Sequence, residues 1–199
     1  MSSHHFVKEQ QEPAVVILDI EDFSWEQLSG LFEWVPTVLV AEPAVEQVLS
    51  WGIKIDVILA SSAFQKENIH LLEEQYPLRF FESGKGKFTQ DALHYLMASD
   101  HRAAHLVGFP IGQFDDLALF MEKLDLCIFD QGKKYFPVKS GELKKWYPKG
   151  ELELFGQKEQ LVRIENKEEI LDPSAYISIS EGLNHFYSEK LFWIGESLT

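Results

Sequence analysis

The residues best equipped for chemistry are carboxylates, and they gather early in the chain. Asp19, Glu21 and Asp22 follow one apolar run and Glu42 follows the next, an oxygen donor set that suits a hard cation such as Mg²⁺. Acids in these places are also favoured at helix N-termini by the macrodipole, and that is the simpler reading. His101 and His105 stand four apart beside Asp100, but they straddle a helix-to-strand connection, so two ligands on one helix face are not expected. Cys127, the sole cysteine, lies inside an apolar run and reads as inert packing. A single cysteine also excludes an intrachain disulfide and a multi-cysteine zinc site. The run Gly84-Lys85-Gly86-Lys87 lacks the spacing and the Gly-Lys-Ser/Thr ending of a phosphate-binding loop and reads as a solvated turn. No Gly-x-Gly-x-x-Gly follows the first apolar run. On these grounds no residue is assigned to catalysis and none to a metal.

Something must hold those side chains, and the apolar pattern says what. Short runs at Ala14–Asp19, Thr37–Ala41, Asp56–Ala60, Leu78–Glu82, Ala104–Gly108 and Leu126–Asp130 read as strands covered on both faces. Five helices are expected between them. Ser24 and Gln27 form a capping box before Leu28, Leu31 and Phe32. Pro43 opens a second helix that Gly52 closes. Ile69, Leu72 and Tyr76 mark a third, and Thr89 caps a fourth carrying Ala92, Leu93, Leu96 and Met97. Leu117, Phe120, Met121 and Leu124 give the fifth its buried face. This alternation implies an α/β fold with a doubly wound, mostly parallel sheet.

Near Gly132 the pattern changes. Six short strands follow, at Tyr135–Val138, Glu142–Tyr147, Glu151–Phe155, Gln160–Glu165, Ala175–Ile179 and Leu191–Gly195, punctuated by turn residues. A small antiparallel β-sandwich is expected there. The organisation is thus a flexible segment over 1–13, an α/β nucleotide-binding-like domain over 14–133 and an all-β domain over 134–199.

Composition narrows the function. The chain has 199 residues, with 18 basic and 32 acidic side chains and a net charge of −14. That balance speaks against nucleic-acid backbone binding and against a polybasic membrane anchor. No apolar run approaches the roughly 20 residues that span a bilayer. The N-terminal residues lack the apolar core of a secretory signal. A soluble, cytoplasmic protein is expected.

Three stretches carry a resemblance to thiamine pyrophosphokinases. Val38-Leu39-Val40-Ala41-Glu42-Pro43-Ala44 is similar to that family's strand ending in Ala-Asp-Gly-Gly-Ala. Leu49 to Phe64 resembles its Leu-Gly-Ile-x-Pro-Asp-Val-Ile-Ile-Gly-Asp-Phe-Asp-Ser. Leu106-Val107-Gly108 through Gly112-Gln113-Phe114-Asp115-Asp116-Leu117-Ala118 resembles its Gly-Gly-Arg-x-Asp-His-x-Leu-Ala-Asn. Further on, Gly182-Leu183-Asn184-His185-Phe186 is similar to its Gly-x-Ser-Asn-Glu-Phe turn. The resemblance implies a homodimer, Mg²⁺ and ATP as cofactors, and pyrophosphoryl transfer to thiamine. By the same resemblance Gly112, Gln113 and Asp115 are nucleotide-site residues, and Asn184 and His185 contact substrate.

This chain departs from that pattern at the positions that matter. Ser61 and Ala63 replace the two metal carboxylates, and Pro43-Ala44 replace the glycine pair. Gln113 replaces arginine and Asp116 replaces histidine. The expectation is a thiamine-pyrophosphokinase-like protein that has lost the reaction, needs no cofactor, and acts as a binding or interaction protein with a small-molecule ligand. Two alternatives stay open: an active kinase using displaced ligands such as Asp19, Glu21, Glu42 and Asp115, and an unrelated α/β protein.

Overall fold

A computed structural model describes residues 12–139, 141–165 and 167–198. The expected flexible segment over 1–13 therefore lies almost wholly outside the described residues. The chain divides into two compact units, meeting at Gln131 and Gly132.

The first unit is built on six parallel strands: β1 (Ala14–Ile17), β2 (Val38–Ala41), β3 (Val57–Ala60), β4 (Arg79–Glu82), β5 (Ala103–Val107) and β6 (Asp125–Asp130). Their order is β6-β5-β1-β2-β3-β4. The chain thus winds outward from β1 in one direction, then returns to β1's other side, which is the doubly wound arrangement. Every residue of β1, β2 and β3 is buried, because a central parallel strand has no solvent face.

Five α-helices connect these strands: α1 (Trp25–Leu28), α2 (Val45–Ser50), α3 (Ser62–Glu67), α4 (Leu71–Glu74) and α5 (Phe88–Ala98). The capping box before α1 forms in full, with Ser24 Oγ accepting from the Gln27 N–H and Gln27 Oε1 accepting from the Ser24 N–H. Gly52 takes a φ of +71° just beyond α2, as a helix-ending glycine does.

Three helix expectations need correction. The third is two short helices, α3 and α4, and its buried residue is Leu71; Ile69 and Tyr76 are exposed. Thr89 does not cap α5, whose N-cap is Lys87, without a side-chain bond. The fifth is a pair of 3-10 turns, Ile111–Leu117 and Phe120–Glu122. The first of these is broken at Gln113, whose backbone (φ −105°, ψ 17°) is not helical, and it buries Ile111, Phe114 and Leu117.

The second unit is antiparallel throughout its described pairings. Strands β7 (Lys133–Val138), β9 (Gly150–Phe155), β12 (Ser174–Ile179) and β14 (Phe192–Ser197) run in the order β12-β9-β14-β7. Strands β8 (Glu142–Tyr147), β10 (Gln160–Ile164), β11 (Lys167–Leu171) and β13 (Gly182–Tyr187) form a second sheet, β11-β10-β13-β8. Both sheets contribute to one apolar cluster that includes Leu154, Val162, Phe186, Phe192 and Ile194. Strands β11 and β13 were not expected. In β13 the inward positions are Asn184 and Phe186, so the stretch read as a turn is a strand with a polar residue on its core side.

Opposite that cluster, Tyr135, Gly195 and Glu153 sit side by side on β7, β14 and β9. A Cβ on Gly195 would meet the Tyr135 ring at 2.5 Å, so only glycine lets the ring lie across β14. Tyr135 thereby donates from its hydroxyl to Glu153 Oε2 at 2.7 Å, and Lys133 Nζ reaches the same oxygen at 2.6 Å. Burial pushes the Glu153 carboxyl up, but the bonds from Lys133 and Tyr135 outweigh it and hold the group below its ordinary range.

Candidate functional site at the carboxyl edge of the first unit

A doubly wound sheet opens a crevice where its strand order reverses, beyond the carboxyl ends of the strands. Here the reversal falls between β1 and β5. The crevice is closed at its root: the Leu18 N–H donates to the Val107 carbonyl at 2.9 Å, and Gly108 packs directly on Asp19. Gly108 has φ +76°, and a Cβ on it would lie 2.1 Å from the Asp19 carbonyl oxygen. Asp19 turns its carboxylate onto the Glu21 N–H at 2.9 Å.

The other acids of this edge also bond locally. Glu42 Oε2, just past β2, accepts from the Ser61 N–H at 2.8 Å. Ser61 is the N-cap of α3, its Oγ accepting from the Phe64 N–H. Ser62 Oγ donates to Glu82 Oε1 and Ser83 Oγ to Asp91 Oδ2, both at 2.6 Å. Asp130 Oδ2, on β6, accepts from the Ile111 N–H at 2.9 Å. Between the ends of β3 and β4 and the start of α5 these groups line a depression of about 430 Å³, with Ser61, Ser62, Ser83, Glu82, Asp91 and Lys87 in its wall. Glu82 and Ser83 carried no signal in the sequence beyond their place at a strand end.

The candidates from sequence fall into two places. Gly112, Gln113 and Asp115 share the 3-10 turn after β5 and are exposed, because the turn buries the residues at every third position. A Cβ on Gly112 would meet nothing within 4 Å, so no close approach demands glycine there. Asn184 and His185 belong to the second unit and, as neighbours on β13, point to opposite faces. Asn184 is buried, and its Nδ2 donates to the Ser180 and Gly182 carbonyls. His185 is on the open face, with Nε2 2.9 Å from Glu142 Oε1.

The remaining candidates resolve simply. No three His, Cys, Asp or Glu side chains converge among the described residues. His101 is buried and bridges Ser99 Oγ and Thr37 Oγ1; burial pushes its pKa below the ordinary imidazole value. His105 packs edge-on against Phe129. Lys87 of the Gly-Lys run is drawn into the wall of the depression.

No protein-family model and no curated protein matches this sequence. Solved structures do. A thiamin pyrophosphokinase from Geobacillus thermodenitrificans superposes with a TM-score of 0.70 at 12% identity, over 92% of this chain and 97% of that one. The Bacillus subtilis thiamine pyrophosphokinase gives 0.66 at 10% identity, over 94% and 99%. The Candida albicans thiamin pyrophosphokinase also gives 0.66 at 10%, over 93% and 90%. The likeness is one of fold. It spans both units of the chain.

Among the described residues no helix is long and apolar enough to cross a membrane.

Proposed function

We propose that this chain keeps the thiamine-pyrophosphokinase scaffold, has lost pyrophosphoryl transfer from ATP to thiamine, and works by binding. The observation that carries the reading is the end of β3. Where the resemblance calls for a metal carboxylate, Ser61 spends its hydroxyl on capping α3 and its N–H on Glu42, while Glu82 and Asp91 of the same depression accept from Ser62 and Ser83. Ala63, two residues on, has no oxygen to offer.

The residues of this edge do not fit Mg²⁺ and ATP. Pro43 sits in the turn after β2, where it fixes φ and removes a backbone donor. Gln113 supplies none of the positive charge an arginine would. Residues 1–134 hold 10 basic and 21 acidic side chains, a field that repels a polyphosphate unless a cation screens it. The displaced-ligand alternative asks Asp19, Glu21, Glu42 and Asp115 to converge, whereas Asp19 is bonded within its own loop to the Glu21 N–H and Glu42 to the Ser61 N–H at the start of α3.

The same reading brings with it a cytoplasmic homodimer and a small-molecule ligand held near Gly112, Gln113 and Asp115. The test is direct. Purified protein incubated with Mg²⁺, ATP and thiamine should form no thiamine diphosphate above background by chromatography. Turnover at about 1 s⁻¹ or faster, an ordinary enzymatic rate, overturns the proposal and promotes the displaced-ligand enzyme.

A further inference from the structure

Four strands have a neighbour on one side only: β4, β8, β11 and β12. An open strand edge offers a row of unpaired N–H and C=O groups, and soluble chains guard such edges with charge, proline or bulges. Three of the four are guarded by charge: Arg79 and Glu82 on β4, Glu142, Lys144 and Lys145 on β8, and Lys167, Glu168 and Glu169 on β11. Strand β12 is not. It reads Ser-Ala-Tyr-Ile-Ser-Ile, without a charge or a proline, and it pairs with β9 over six residues without a bulge. Its hydrogen-bonding groups divide by alternation. The Pro173 carbonyl accepts from the Gly156 N–H on the β9 side, so Ala175, Ile177 and Ile179 turn their N–H and C=O groups toward β9. Those of Ser174, Tyr176 and Ser178 turn to the open edge, where no partner meets them among the described residues. The Tyr176 side chain is 65% exposed there.

We propose that β12 pairs antiparallel with β12 of a second copy of this chain, across a two-fold axis at Tyr176. An axis there sets Tyr176 opposite the partner's Tyr176, and Ser174 opposite the partner's Ser178. Every outward N–H of one strand then meets an outward carbonyl of the other. Moving the axis by one residue leaves Ser174 or Ser178 facing chain beyond the end of the strand. Charge also favours a second copy. The unit that carries β12, Gly132–Thr199, holds 10 basic and 11 acidic side chains, against 8 and 21 in Met1–Gln131. Two copies of a chain with a net charge of −14 repel least through this nearly neutral unit, and β12 is its uncharged edge.

The inference rests on the homodimer that the proposed function brings with it and supplies its interface, while thiamine turnover does not enter its test. The full chain, Tyr176→Lys and Tyr176→Glu are compared by sedimentation over roughly 1–100 μM. The parent should sediment at twice its 23.0 kDa mass. Each variant sets like charges opposite one another at the axis, and its dimer should be about tenfold weaker or more. An equimolar mixture of the two variants sets Lys against Glu and should recover the dimer, which also shows that both are folded. A dimer indifferent to both substitutions overturns the β12 interface and leaves the homodimer standing. Variants that stay monomeric on mixing overturn the pairing across Tyr176. A monomeric parent overturns the interface and the homodimer together. Assemblies that grow past two copies overturn the closed two-fold.

Discussion

Replacing Ser61 by aspartate asks whether the end of β3 lost its cation ligand by side chain alone. Aspartate caps a helix as well as serine, so α3 should keep its N-cap bond to Phe64. The new carboxylate, however, stands beside Glu42, whose Oε2 is 2.8 Å from the Ser61 N–H. Two like charges about 5 Å apart at a half-buried edge repel by roughly 2–3 kcal/mol at an effective dielectric of about 20–40. For a chain of this size that lowers Tm by a few degrees, about 2–4 °C per kcal/mol, in buffer with EDTA. Magnesium should return about half or more of it: for a site with a Kd of about 1 mM, 10 mM Mg²⁺ gives back ~1.4 kcal/mol. The parent protein should show no such magnesium response. Differential scanning fluorimetry of both proteins, with and without Mg²⁺, reads all three outcomes. A parent stabilised by Mg²⁺ as much as the variant would refute the reasoning, since it would mean the cation already has ligands.

Gly108→Ala should cost about 3–5 kcal/mol, because it combines a left-handed backbone with a Cβ driven into the Asp19 carbonyl; urea denaturation would show it as a lowered midpoint at unchanged slope. Glu153→Gln removes the ion pair to Lys133 and should cost about 2 kcal/mol at neutral pH. The Glu153 pKa is depressed in the fold, so its contribution is complete above the ordinary carboxylate range and fades as pH falls through the depressed value. The parent and the Gln variant should therefore converge in stability toward the acid end of a pH series of denaturation curves. His101 is held neutral by burial, so its folded pKa is also lowered and stability should begin to fall as pH drops below its ordinary value near 6.5. A His101→Gln variant, able to keep bonds to Ser99 or Thr37, should flatten that part of the same series.

How much of this was legible in the sequence depended on what each position buries. The strands β1, β2 and β3 announce themselves because all four residues of each are apolar and buried. Strand β11 does not: in Lys167–Leu171 only Leu171 is buried, and backbone pairing to β10 alone makes it a strand. Strand β13 was hidden by Asn184 at an inward position. The 3-10 turns after β5 were missed because the segment is short and broken at Gln113, which leaves no sustained helical period to read. At the site, that positions 61 and 63 are Ser61 and Ala63 and carry no carboxylate could be read directly. The bonds that occupy the carboxylates still present could not, since the partner of Glu42 is 19 residues away and that of Asp130 is 19 residues back.

Those bonds follow one rule, which ties the fold to the proposed function. Each loop at the carboxyl edge of a parallel sheet leaves backbone donors at the start of the next segment, and each donor needs an acceptor. A cation site takes acidic side chains from this edge and leaves the donors to be satisfied by ligand oxygens. Here the acids satisfy the donors themselves. Glu42 ties the end of β2 to the start of α3 and Asp130 ties β6 to the turn after β5, each through a backbone N–H, while Glu82 joins the end of β4 to α3 through the Ser62 hydroxyl. Gly108 completes the closure by seating the end of β5 on the end of β1. An edge laced in this way has these donors met from within the chain. A cation that drew on Glu42 or Asp130 would first displace a charge-assisted bond worth about 1.5–3 kcal/mol.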